Sequence, residues 1–496
     1  MNKQFRNPDT RMNGDVPVKR SKSPSIVGIG HAAVNLKNRL VLMVPLLTIL
    51  LASSVRAVDP LYHEALRPRF HFTADKGWLN DPNGLVFYQG EYHMFFQRTP
   101  DKIDGGLKSW GHAVSTDMLH WKQLPDAIEP DKTGDIWSGS AVVDWNNTAG
   151  FQTGKQKAIV AMWTCAGPFD QRLSYSNDSG RTWTKYAQNP VLPHLNAQNR
   201  DPKLIWYQPI GQWVVALYLD RKNDYGLFTS PDLKRWTQIQ TVSLRGSTEC
   251  PDFFPLNLDG DLGKQMWILT GASGRYMVGN FDGKAFTPKT QSQIVEYGGN
   301  CYAAQTFSDI PPADGRRIQI GWMMGGKYPG MPFNQQMSIP CTLSLRTTTD
   351  GPRMFKYPVK EVESLRGPVH KLKDGTLSSG NDFLAGFSGN YLDISMELDP
   401  QSNALVTLSL CGATVEYNAN THTLSNGKHC ELLPENGKIS LRILVDRTSI
   451  EVFGNDGRVA ITRCFLPADD NSIHLTTSGG DVKITGLRIW EMGSAW

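Results

Sequence analysis

The chain has 496 residues, of which 40% are hydrophobic and 20% charged, with a mean hydropathy of -0.36, and that balance excludes a disordered, fibrous or multi-pass membrane protein. Its formal charge of +4 is misleading: residues 1–57 hold nine Lys and Arg against Asp9 and Asp15, so the remaining chain is net acidic. A weakly acidic body lacks the basic stripe that a phosphate backbone requires, which excludes nucleic acid as a partner.

In chain order, positive charge precedes an apolar run from Leu40 to Ala52, broken only by Pro45 and Thr48, and small residues follow at Ser53, Ser54 and Ala57. This is the pattern of a secretory signal peptide over 1–57, because the run is shorter than the ~20 residues that span a bilayer. The expected location is secreted or periplasmic, without stable membrane insertion after cleavage; an uncleaved anchor is the alternative. The seven cysteines contain no C-x-x-C pair and no His at metal-ligand spacing. They read as small buried apolar residues with at least one free thiol.

From about Phe70 to Leu345, short β-type runs alternate with turns, as in Leu85–Tyr88, Gln89-Gly90 and Tyr92–Phe96, a hairpin signal. A weak repeat aligns Ser115-Thr-Asp117 to Trp121, Ser176-Asn-Asp178 to Trp183, Ser230-Pro-Asp232 to Trp236 and Asp282-Gly283 to Phe286. Units of roughly 50 residues suit four-stranded blades. The expectation is an all-β fold with a five-bladed β-propeller over 62–350. After Tyr357-Pro358 the Trp density falls and new alternating runs begin, among them Leu405–Leu410 and Ile443–Phe453. They predict a C-terminal β-sandwich over 355–496.

Three motifs put a carboxylate beside a residue that stiffens the backbone: Trp78–Gly84, Arg200-Asp201-Pro202 and Thr248–Asp252. Proline biases the residue before it towards extended backbone, so Asp81 and Asp201 are expected on rigid, extended segments. Asp-Pro alone is usually a turn, and it recurs at 59 and 399 without visible chemistry. Phase adds weight. Asp81, Ser138, Asp201, Glu249 and Gly298–Tyr302 follow one another at about the blade period. Residues at one phase per blade converge on one end of the propeller axis, and converging carboxylates are the apparatus for splitting a glycosidic bond.

With these motifs in order, the chain resembles glycoside hydrolase family 32, the β-fructofuranosidases (levanases, inulinases, invertases). Tyr302–Phe307 and Ile443–Phe453 resemble later landmarks of that family. The resemblance implies a secreted retaining exo-β-fructosidase that releases terminal fructose from levan or inulin, with sucrose as a further candidate. It implies Asp81 as nucleophile, Glu249 as acid and base with a raised pKa, and Asp201 as a holder of two fructosyl hydroxyls. Asn80, Gln97, Ser138 and Arg200 match further sugar-contacting positions, and Trp110, Trp137 and Trp322 are candidates for an aromatic wall. The family often has tryptophans where this chain has Gly105-Gly106 and Gly325-Gly326, so part of that wall is absent. Carboxylate chemistry needs no metal and no cofactor. Three readings stay open beside hydrolysis: a fructosyltransferase on the same fold, cleavage of arabinose or xylose linkages, and a non-catalytic fructan-binding protein.

Overall fold

The computed structural model describes residues 61–496, and the expected signal peptide lies outside the described residues. Five sheets occupy the chain up to Pro358, antiparallel throughout except where Gly77 and Trp78 of the first pair in parallel with Phe333–Asn334. Their first strands are Gly77–Tyr88, Ile136–Val143, Arg200–Tyr207, Asp252–Asn257 and Tyr302–Thr306. Each first strand touches the first strands of the blades before and after it, and the fifth returns to the first. This closed ring makes the sheets a five-bladed propeller with the first strands around the axis.

Side-chain alternation explains why the blades stay together. Successive residues of a strand face opposite sides of the sheet. Along Ile159–Cys165, Ile159, Ala161 and Trp163 pack with Val86, Phe95 and Trp110 of the first blade. The intervening Val160 and Met162 pack with Leu204, Val215 and Leu217 of the third. With both faces covered, the strands read as continuous apolar runs.

The Ser-x-Asp…Trp repeat is a turn device. In the first blade Asp117 Oδ1 accepts from the backbone N–H groups of Leu119 and His120, and the Trp121 indole donates to the Met118 carbonyl at 2.8 Å. Trp183 and Trp236 make the same bond to Gly180 and Leu233. Each copy joins the third and fourth strands of its blade. Third strands run parallel to first strands, so these turns lie on the face away from the starts of the first strands.

Beyond Pro358, seven strands form one sheet, centred on Val482–Met492, Leu392–Pro400 and Ile439–Asp446, and five form another, centred on Ala413–Asn418 and Leu405–Leu410. A single apolar core lies between them, including Ile394, Leu408, Val415, Ile443, Val452 and Leu475. This is the sandwich. It is tied to the propeller by His71, whose ring lies between Asp446 and Glu451, and by the bond from Tyr297 N to the Ala460 carbonyl.

Two glycines, the last residue of the Trp78–Gly84 motif and the neighbour of Ser138, are required by space. Gly84 has φ +52, and a Cβ there would lie 2.7 Å from Phe95 and 3.0 Å from Trp110. At Gly139 a Cβ would lie 2.0 Å from the Met162 carbonyl oxygen. Gly84→Ala is expected to cost about 1–3 kcal/mol by overpacking and backbone strain, read as a lowered denaturation midpoint at unchanged slope.

Candidate active site

The starts of the first strands do not pair regularly. Register shifts fall between Leu79 and Pro82, between Ile136 and Gly139, opposite Asp201-Pro202, and between Tyr302 and Gln305. Bulges of this kind re-aim side chains. Here they turn Asn80-Asp81, Trp137-Ser138 and Asp201 towards one hollow. Pro82 and Pro202, lacking an N–H, suit positions where the ladder is interrupted.

Asp201 departs from the extended backbone expected before proline: it has φ +64, and Glu249 and Cys250 have φ +52 and +38. Non-glycine residues hold such angles where neighbours impose them. The Asp201 N–H donates to Thr164 Oγ1 at 3.1 Å, and the Cys250 N–H donates to Asp201 Oδ2 at 3.0 Å. The two motifs therefore lock each other.

The resulting cavity, about 600 Å³, is lined by Asn80, Asp81, Gln97, Trp137, Ser138, Arg200, Asp201, Glu249 and Trp322, all singled out in the sequence. Trp110 is a correction. It is fully buried between the first and second blades, and its indole N–H donates to the Trp137 carbonyl at 3.0 Å. A side chain pointing into the interblade core offers no face to a sugar; Trp110 instead supports Trp137, which does line the cavity. Five further lining residues carried no chemical role in the sequence reading: Lys108, Asp135, Cys250, Tyr302 and Met324. Tyr302 ends the Gly298–Tyr302 stretch that the blade phase had marked, and only its contact with Glu249 shows what it does there. Lys108 precedes a third strand, off that phase.

Asp81 is fixed from both sides. Ser138 Oγ donates to Oδ2 at 2.6 Å and Asn80 Nδ2 to Oδ1 at 3.0 Å, while the Trp78 indole donates to Asn80 Oδ1 at 2.9 Å. Burial pushes the Asp81 carboxyl above its ordinary range and the Glu249 charge adds to this, against the hydrogen bonds from Ser138 and Asn80. Asp201 is pushed up to about 7, first by burial and then by the charge of Asp81. The hollow therefore retains protons towards neutral pH.

Glu249 is held by two donors, Arg200 Nη2 to Oε1 at 2.5 Å and the Tyr302 hydroxyl to Oε2. Arg200 itself lies over the Tyr218 ring, 4.8 Å from its centroid. The Cys250 thiol lies 3.7 Å from Asp81 Oδ2 and 3.5 Å from Asp201 Oδ2; burial and these carboxylates hold its pKa well above the usual thiol range, so it faces them as a weak donor. All seven cysteines are free. A fixed aspartate and a separately held glutamate on one sugar-sized hollow can supply attack on one side of a bond and a proton on the other.

Known proteins resemble this chain in both sequence and fold. Residues 71–358 match the N-terminal domain of glycosyl hydrolases family 32, and residues 361–491 match the C-terminal domain of that family. A levanase of Bacillus subtilis (strain 168) is 39% identical, over 93% of this chain and 76% of its own length. The extracellular exo-inulinase inuE of Aspergillus niger is 30% identical, over 88% of this chain and 96% of its own. The crystal structure of exo-inulinase from Aspergillus awamori superposes with a TM-score of 0.79 at 28% identity, over 88% of this chain and 100% of that one. Five blades, a sandwich, the shared hollow and both domain matches lead to one conclusion: the chain belongs to glycosyl hydrolases family 32.

Proposed function

We propose that the protein is an exo-acting β-fructosidase that releases terminal fructose from levan and inulin, with sucrose as a smaller substrate, and retains the anomeric configuration. The observation that carries this reading is the single cavity lined by Asp81, Asp201 and Glu249 in a chain of this family. The names of its relatives, a levanase, exo-inulinases and invertases, support the substrate class and the exo mode.

In this reading Asp81 attacks the anomeric carbon of the fructosyl unit and Glu249 protonates the departing oxygen. A covalent fructosyl-enzyme forms; Glu249 then takes a proton from a water whose oxygen attacks the anomeric carbon, and the bond to Asp81 breaks to release fructose and the free carboxylate. Ser138 and Asn80 aim the Asp81 lone pairs, and Arg200 with Tyr302 aims Glu249. Asp201 accepts hydrogen bonds from ring hydroxyls and stabilises positive charge as the oxocarbenium-like transition state develops. Trp137 and Trp322 offer apolar faces to the sugar. Export is part of the proposal: residues 1–57 carry the leader pattern, and one relative is named extracellular. Among the described residues, no helix is long and apolar enough to cross a membrane.

The test is product analysis on levan, inulin, sucrose, arabinan and xylan side by side. Free fructose is expected from the fructans from the first minutes, without intermediate oligosaccharides. Arabinose or xylose release would overturn the substrate class, and fructan binding without turnover would overturn the enzyme. New fructosyl oligomers at low substrate concentration would assign transfer in place of hydrolysis.

A further inference from the structure

The cavity holds a cation that the reaction above does not use. Lys108 directly precedes the third strand of the first blade, Ser109–Ser115, two strands out from the axis strand that carries Asp81. At the usual strand spacing its backbone lies roughly 10 Å from that strand. The side chain reaches back inwards. Its Nζ is 3.2 Å from Thr99 Oγ1 on the second strand and 5.4 Å from the ring centroid of Trp78 on the first.

Gly105 and Gly106 place no side chain over this ammonium, and even a Cβ on Gly105 would stand 3.8 Å from Nζ. An ammonium has three donors. Among the described residues, Thr99 Oγ1 is its one hydrogen-bond acceptor, and Lys108 lines the cavity. Burial holds its pKa down to about 8, against the carboxylates of Asp81 and Asp135. Four carboxylates line the hollow against Lys108 and Arg200, so a neutral, hydroxyl-rich ligand suits it better than an anion.

Asp81, Ser138 and Asp201 stand on axis strands and address the sugar unit that reacts. Lys108 enters the same cavity from outside that ring of strands, so it is not one of the groups that grip the reacting unit from the axis. We propose that Lys108 is a specificity-determining residue that donates hydrogen bonds to hydroxyls of the leaving-group sugar, where the missing side chains of Gly105 and Gly106 give it access. The inference rests on the fructosidase reading above.

The test compares wild type, Lys108→Met and Lys108→Arg on levan and sucrose. Lys108→Met is expected to raise KM about tenfold, the scale of one charge-assisted hydrogen bond, with kcat within twofold. Lys108→Arg is expected to restore most of the loss. Wild-type KM should rise as pH passes about 8, and this rise should move to higher pH in Lys108→Arg. Lys108→Leu serves as a second neutral variant; a wild-type KM in either folded neutral variant, or a fall in kcat at constant KM, overturns the proposal. Failure of the wild type to release fructose would strike the fructosidase reading itself, whereas an active wild type with indifferent variants strikes Lys108 alone.

Discussion

On the proposed mechanism Asp81→Asn is expected to lower the rate of fructose release about 10,000-fold or more, because a neutral amide cannot form the fructosyl-enzyme. Glu249→Gln costs about 100- to 10,000-fold on levan, the usual range for a lost proton donor. The two losses differ in kind. A fructoside whose leaving group departs without protonation should recover its first step in Glu249→Gln, giving a burst of leaving group, and should recover nothing in Asp81→Asn. Stability supplies the control. Burial and the Glu249 charge push the Asp81 carboxyl up, so its ionised form is destabilised in the fold, and the amide should melt no lower than wild type. Near-wild-type rates in both variants would remove the proposed mechanism.

The second large effect concerns the join between propeller and sandwich. His71 Nδ1 is 2.8 Å from Asp446 Oδ2, and Nε2 is 2.9 Å from Glu451 Oε2, with all three side chains buried. Asp446 also accepts from the backbone N–H groups of Arg69, Phe70 and Arg447. The two carboxylates overcome the burial penalty on the ring and raise the His71 pKa from its ordinary 6.5 to about 9.

The folded state thus binds a proton more tightly than the unfolded state does. The stability this contributes is complete below pH 6.5 and is lost as pH rises through 9, an effect of about 3 kcal/mol. His71→Ala leaves two buried carboxylates without their cation and should cost about 3–5 kcal/mol. Urea midpoints measured between pH 6 and 9.5 should decline in wild type and be nearly flat in the variant. Equal slopes in both would mean that His71 does not carry this charge.

The architecture was legible because strand patterning and turn chemistry are local. The aspartate-tryptophan turns recur in the chain since each blade must bend back between its third and fourth strands, and each turn satisfies its own backbone with neighbouring side chains. The phase of Asp81, Ser138, Asp201 and Glu249 was legible for a related reason: once per blade means once per axis strand, on its first residues or, for Glu249, just before them. Trp110 shows where that reading stops. Trp110 and Trp137 are both tryptophans on strands near the motifs, and only blade packing decides that one faces the interblade core while the other faces the cavity.

From residue order alone came five blades, a sandwich and the family's three acidic motifs, because periodicity, proline and glycine act over a few positions. Only the tertiary structure decided the left-handed backbone at Asp201 and Glu249, the grip of Tyr302 and Arg200 on Glu249, the ionic join through His71 and the inward reach of Lys108. Each of these depends on groups from different blades, strands or domains meeting at hydrogen-bonding or ionic range, and such meetings are set by the bulges and the closed ring of axis strands, which no short window of sequence contains.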